Sequence, residues 1–98
     1  MADPVKPADG LTPAQWRAAM GAFPSGVTVI TTWESGKPIG TTISAFCSLS
    51  VTPPLLLVCM NHKNPALTPI GTCKVFGVNI LGCDSGHLAM HFAKGPEA

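Results

Sequence analysis

The run GVTVITTWESGKPIGTTISAF (26–46) decides the fold class. Its first part, from Gly26 to Trp33, is rich in β-branched residues and reads as a strand. ESGK (34–37) then supplies turn residues, and PIGTTISAF (38–46) returns as a second strand. Together they predict an antiparallel β-hairpin. Because side chains alternate along a strand, Ile39, Thr41, Ile43 and Ala45 are expected on one face, and Gly40, Thr42, Ser44 and Phe46 on the other.

Upstream, Thr12 and Gln15 have the spacing of a capping box, and Pro13 takes a first helical position. Trp16, Ala19, Met20 and Phe23 then recur on one helical face until Pro24 ends the helix. Residues 1–11, broken by Pro4, Pro7 and Gly10, read as a flexible N-terminal arm, which leaves 12–98 as the folded part. Downstream of Thr52-Pro53-Pro54, LLLVCMN (55–61) is apolar on both faces and is expected to be a central strand. Asn64 and Pro65 look like the cap and first position of a short helix reaching about Ile70. A fourth strand follows near Cys73–Leu81, and Asp84 is placed to cap a last helix over 85–93. The predicted class is mainly β with peripheral helices. Four strands cannot close a barrel, and an uncovered sheet edge is expected.

Composition points the same way. With 98 residues the chain is one domain at most, and charged residues make up 11% of it, against about 25% in a typical soluble domain. Hydrophobic residues make up 46%, more than a small finished surface accommodates. The expectation is an obligate oligomer, or the front portion of a larger domain. A net charge of +1 from scattered single charges gives no footprint for nucleic acid or an acidic membrane surface. The apolar run Leu55–Met60 is far shorter than the ~20 residues of a membrane span. MADPVKPADG (1–10) lacks the basic and apolar regions of a secretory signal, so a cytoplasmic location is expected. Cys47, Cys59, Cys73 and Cys83 form no CxxC pattern and read as buried free thiols.

The hydroxyl-bearing stretch Thr42–Ser50 has small neighbours at Ala45 and Cys47. Such a strand lets a flat, polar-edged ligand lie against backbone N–H and C=O groups, and a flavin suits it. An ordinary strand with a solvated Ser/Thr face fits the same residues. Pro24-Ser25-Gly26-Val27 places a glycine where a helix meets a strand, which permits close backbone approach to a ligand and equally describes a plain turn. His62-Lys63-Asn64-Pro65 leads a cation towards a helix start, a plausible phosphate seat. Asn79 is a polar residue in an apolar run, and one satisfied amide accounts for it. His87 and His91 lie four apart near Cys83, but Leu88 stands where a zinc protease needs glutamate, and metal binding is discounted. Motifs of phosphate-loop, dinucleotide-fold and serine-hydrolase chemistry are absent from the sequence, and its five acids form no evident catalytic pair.

Taken together, WRAAMGAFPSGVTVITT (16–32), GTTISAFCSLSVTPPLLLVCMNHKNPAL (40–67), FGVNIL (76–81) and HLAMHFA (87–93) resemble the short-chain flavin reductases. These are the reductase components of two-component flavin monooxygenases. The resemblance implies an FMN-binding split β-barrel of Greek-key type, a homodimer, and reduction of FMN or FAD by NADH or NADPH. Reduced flavin would pass to a partner monooxygenase. By position it implies flavin contacts at Ser25, Gly26 and Val27, and at Thr42, Ile43, Ser44, Ala45, Phe46, Cys47 and Ser48. It also implies a phosphate-facing loop at Lys63 and Asn64, where family members commonly read Arg-Ser or Lys-Ser, and a ring near the flavin and nicotinamide site at Phe92. The segments that resemble the family correspond to its N-terminal half, so the barrel is expected to be truncated after that half. A noncatalytic flavin-binding or dimerisation module, or an inactive fragment, is the alternative expectation.

Overall fold

A computed structural model describes residues 10–94. The arm expected over 1–11 therefore lies, apart from Gly10 and Leu11, outside the described residues. Helix α1 (Pro13–Gly21) starts on the predicted capping box: Thr12 Oγ1 accepts the Gln15 N–H at 3.1 Å, and Gln15 Oε1 accepts the Thr12 N–H at 2.9 Å. Its apolar face is not covered by other described elements, and Trp16, Met20 and Phe23 are half or more exposed.

The hairpin forms as read, from β1 (Thr28–Glu34) and β2 (Lys37–Ile43) in antiparallel register. Ser35 and Gly36 both have positive φ, 51° and 79°, the backbone of a two-residue turn whose twist matches that of the strands. A further strand, β5 (Gly77–Ile80), which follows β3 (Phe46–Ser50) and β4 (Leu55–Val58) in the chain, pairs antiparallel with the other edge of β1. The sheet order is β2-β1-β5, so the central strand is β1. Its β-branched side chains are buried on both faces, with Val29 at 3% and Ile30 at 1% exposure. The buried hydroxyls of Thr28 and Thr32 donate to the carbonyls of Ile43 and Val75, each at 2.7 Å.

Several expectations are corrected. The returning strand does not run to residue 46: it stops at Ile43, and Phe46 N–H bonds back to Ser44 C=O at 2.9 Å. Ser44 and Ala45 are small and exposed, so no burial holds them in register with β1. The chain re-enters as β3 (Phe46–Ser50), paired with β4 (Leu55–Val58) in a second sheet of two strands. The segment expected to be central is thus β4, hydrogen-bonded among the described residues on one side only, with Leu55, Leu56 and Leu57 more than 40% exposed.

The predicted short helix begins later than Asn64. Asn64 Oδ1 accepts the Ala66 N–H at 2.9 Å and Asn64 C=O accepts the Leu67 N–H at 3.1 Å, which makes a turn ahead of α2 (Leu67–Cys73). Lys74, in the left-handed region at φ 61°, closes that helix, so Cys73 is helical and the fourth predicted strand shrinks to β5. Helix α3 (Gly86–Ala93) has Ser85, not Asp84, at its cap position. All four cysteines are free; Cys47, Cys59 and Cys83 are exposed and Cys73 is half-buried, contrary to the expectation of burial. They sit on the edge ribbon, the end of α2 and the loop before α3, which the described residues leave uncovered. Among the described residues no helix is long and apolar enough to cross a membrane.

By alternation, Ile30, Thr32, Ile39 and Thr41 share the sheet face on which α2 packs, and Val29, Thr31, Gly40 and Thr42 share the face that meets α3. Ile30 also faces Leu56, Met60 and Leu67 across an open apolar cleft of about 210 Å³ between the two sheets. Denaturant unfolding of the dilute chain should therefore separate the two sheets: Ile30→Ala loses about 3 kcal/mol, whereas Leu56→Ala changes stability by less than ~0.5 kcal/mol.

Candidate functional site

Helix α3 docks on β2 through two matched pairs. Gly40 and Thr42 are neighbours on one face of the strand, and Ala89 and Phe92 lie three apart on the helix. Thr42 Oγ1 donates to Ala89 C=O at 2.6 Å, and the Phe92 ring rests against Gly40. His91 meets Phe92 edge-on, with ring centroids 4.9 Å apart and planes at 85°.

At the C-terminal end of α3 a cleft of about 340 Å³ opens at the outer edge of β2, lined among others by Thr41, Asn61, Lys63, Asn64, Phe92 and Lys94. Asn64 builds this corner. Its Nδ2 donates to Thr41 Oγ1 at 3.1 Å while its Oδ1 holds the Ala66 N–H, and Asn61 Oδ1 accepts the Lys63 N–H at 2.9 Å. Among the described residues two ammonium groups, an aromatic ring and no carboxylate line the cleft, a combination suited to an anionic ligand with a flat ring.

At the N-terminal end of α3 a second cleft, of about 240 Å³, is lined by Ser25, Gly26 and Val27 together with Leu81–Cys83, Ser85, Gly86 and Ala89. Leu81 N–H bonds to Val27 C=O at 3.0 Å and joins the two walls. A methyl group at Gly26 or Gly86 would meet no protein atom within 4 Å, so both glycines leave backbone open to an approaching ligand.

The structure therefore gathers Lys63, Asn64 and Phe92 in one cleft and Ser25, Gly26 and Val27 in another. The length of α3 separates them, about 10 Å at 1.5 Å per residue. Thr42 touches α3 between them, its proton committed to Ala89. Ile43 is a core residue at 8% exposure, and its carbonyl takes the Thr28 hydroxyl. Ser44, Ala45, Cys47 and Ser48 are exposed and Phe46 half-buried along the crossing from β2 to β3; they line neither cleft. Asn79 is satisfied, its Nδ2 donating to Val29 C=O at 3.0 Å. Among the described residues no three metal-binding side chains gather, and His87 and His91 stand exposed on α3. Sequence reasoning did not single out Thr41, Asn61 or Lys94. The alternation that paired Gly40 with Thr42 held the signal for the α3 contact, whereas the meeting of the 61–65 loop with α3 has no local signature.

The family model described as flavin reductase like domain matches residues 20–98. The chain belongs to the flavin reductase-like domain family. It is 46% identical over 83 residues to the reductase component of a 4-nitrophenol 4-monooxygenase/4-nitrocatechol 2-monooxygenase from Rhodococcus opacus, covering 85% of this chain and 45% of that protein. Among solved structures, flavin reductase PheA2 superposes with a TM-score of 0.79 at 42% identity, over 90% of this chain and 57% of that one. The Streptomyces globisporus C-1027 NADH:FAD oxidoreductase SgcE6, solved with NAD and FAD fragments, gives 0.76 at 36% identity, over 94% and 53%. The flavin reductase-like domain seen here is thus part of a split-barrel fold, mainly β with peripheral helices. It spans less than half the length of the curated relatives it matches first.

Because Asn64 ties the loop to β2 and to its own turn, Asn64→Ala should cost about 1–2 kcal/mol in unfolding free energy. Hydrogen exchange should show the Ala66 and Leu67 amides opening faster while those of β1 stay protected.

Proposed function

We propose that this domain binds FMN or FAD along β2 and the two ends of α3, and serves the reduction of that flavin by NADH or NADPH. The observation that carries the reading is the cleft at the end of α3, where a cation, an amide corner and an aromatic ring converge on residues that the family pattern had marked separately: Lys63, Asn64 and Phe92. A ligand that reaches both this cleft and the Ser25-Gly26-Val27 turn must be elongated, as a flavin with its ribityl phosphate is.

A flavin held there would supply the hydride-accepting chemistry and a reduced nicotinamide the hydride, so that the cofactors would carry the reaction. The chain's own residues bind and orient. Lys63 offers an ammonium to phosphate, Phe92 offers a ring for stacking, and Gly26 leaves room beside the backbone. Ser44 and Ser48 present exposed hydroxyls for polar atoms of the ligand. Proximity is the contribution, and no side chain is needed as acid or base.

The same reading makes the domain a reductase component that hands reduced flavin to a monooxygenase, located in the cytoplasm. The exposed apolar face of α1 and the edge strand β4 support a homodimer, since surfaces of this kind are covered in stable proteins. Residues 12–98 then form the N-terminal part of a split-barrel domain, preceded by the arm.

Titration of the purified chain with FMN and FAD, followed by flavin fluorescence and then by nicotinamide absorbance after addition of NADH, tests the proposal. Saturable binding with NADH consumption is the expected result. Binding without consumption makes this chain a noncatalytic flavin module, and absence of binding overturns the reading. Within it, Lys63→Ala should weaken FMN binding by roughly 10- to 100-fold, the worth of a charge-assisted hydrogen bond. The loss should shrink for riboflavin, which has no phosphate. Ser48→Ala should cost about 3- to 10-fold for both ligands.

A further inference from the structure

We propose that Gly40 is a positioning residue that sets where the Phe92 ring stands in the cleft, an inference that rests on the flavin-binding reading for its functional consequence. Gly40 is buried in β2, between two strand residues with ordinary extended pairing to β1. Its backbone does not call for glycine, because its φ lies outside the left-handed region. Space does. A methyl group there would lie 3.0 and 3.1 Å from Phe92 Cδ1 and Cε1, and 3.2 Å from Val29 Cγ1. Glycines 21, 26, 71 and 86 meet nothing within 4 Å.

The direction of the response follows from what surrounds the contact. Val29 is at 3% exposure in the central strand and has nowhere to go. Helix α3 is pinned one turn earlier by the Thr42–Ala89 hydrogen bond at 2.6 Å, so the helix does not slide as a body without breaking it. The Phe92 side chain is half-buried and borders open space on the cleft side. An added methyl group therefore drives the ring outward, into the volume beside Lys63 and Asn64. Gly40 touches no ligand in this account and acts through Phe92.

The test uses Gly40→Ala, Phe92→Leu and the double variant in the 98-residue chain, with FMN as the probe. Gly40→Ala should weaken FMN binding about tenfold, and the double variant should bind no more weakly than Phe92→Leu alone, the signature of one residue acting through another. Amide shifts should move only near Gly40 in β1, β2 and α3, with those of β5 unchanged. Binding by Gly40→Ala within twofold of the parent, or additive losses in the double variant, overturns the proposal. If Gly40→Ala fails to fold, a folded double variant supports it, and an unfolded double variant beside a folded Phe92→Leu overturns it. If the parent chain binds no flavin, the functional reading fails and the positioning claim is decided without ligand. The Gly40 Hα resonances should then be shifted by the ring current of Phe92 and should lose that shift in Phe92→Leu. Unshifted Gly40 resonances in the parent overturn the claim.

Discussion

Burial of β1 on both faces is the constraint from which the other elements take their places. It is hydrogen-bonded along both edges, to β2 and β5, and its faces carry α2 on one side and α3 on the other. Where it is so enclosed, the strand must be apolar or internally satisfied, and TVITT (28–32) meets that need with β-branched residues and with the Thr28 and Thr32 hydroxyls, which donate to neighbouring carbonyls; Trp33 and Glu34 beyond it are exposed. Because alternation sends Val29 and Ile30 in opposite directions, one strand supports two chemically different halves. The Ile30 face meets an open apolar cleft, and the Val29 face presents Gly40 and Thr42 to α3, which frames the candidate site at both of its ends.

Local chemistry was legible in the sequence wherever it is decided within a few residues. The capping box at Thr12 and Gln15, the turn at Ser35-Gly36 and the helical stretch of α3 stand where their patterns put them. What the sequence hid was decided by distant partners. LLLV reads as a central strand because it is apolar on both faces, yet among the described residues β4 is an edge strand, since centrality depends on which strands pair with it. PIGTTISAF reads as one strand because nothing in its composition marks the change of sheet at Ser44 and Ala45. The cysteines read as buried because their neighbours are apolar, but those neighbours are themselves exposed or only half-buried.

The candidate site shows the same division. Ser25–Val27, Lys63, Asn64 and Phe92 were marked through family resemblance, while their sorting into two clefts a helix apart is visible only in three dimensions. Ile43 shows the limit of transferring a segment whole: its side chain belongs to the core and its carbonyl is engaged by Thr28, and Thr42 before it is bonded to α3, whereas Ser44 after it is exposed. The contact of Phe92 with Gly40 links the two levels, because a strand position with no side chain settles where an aromatic ring on another element stands.

The central claim, that this chain carries flavin contacts along β2 and both ends of α3, is tested most directly by mapping amide and aromatic NMR shifts as FMN is added. The account predicts perturbation at Ser25–Val27, along Thr42–Ser48, and at Lys63, Asn64 and the Phe92 ring, with the hairpin tip at Glu34–Lys37 silent. Shifts confined to the apolar cleft of Ile30, Leu56 and Met60, or no shifts at all, would contradict it.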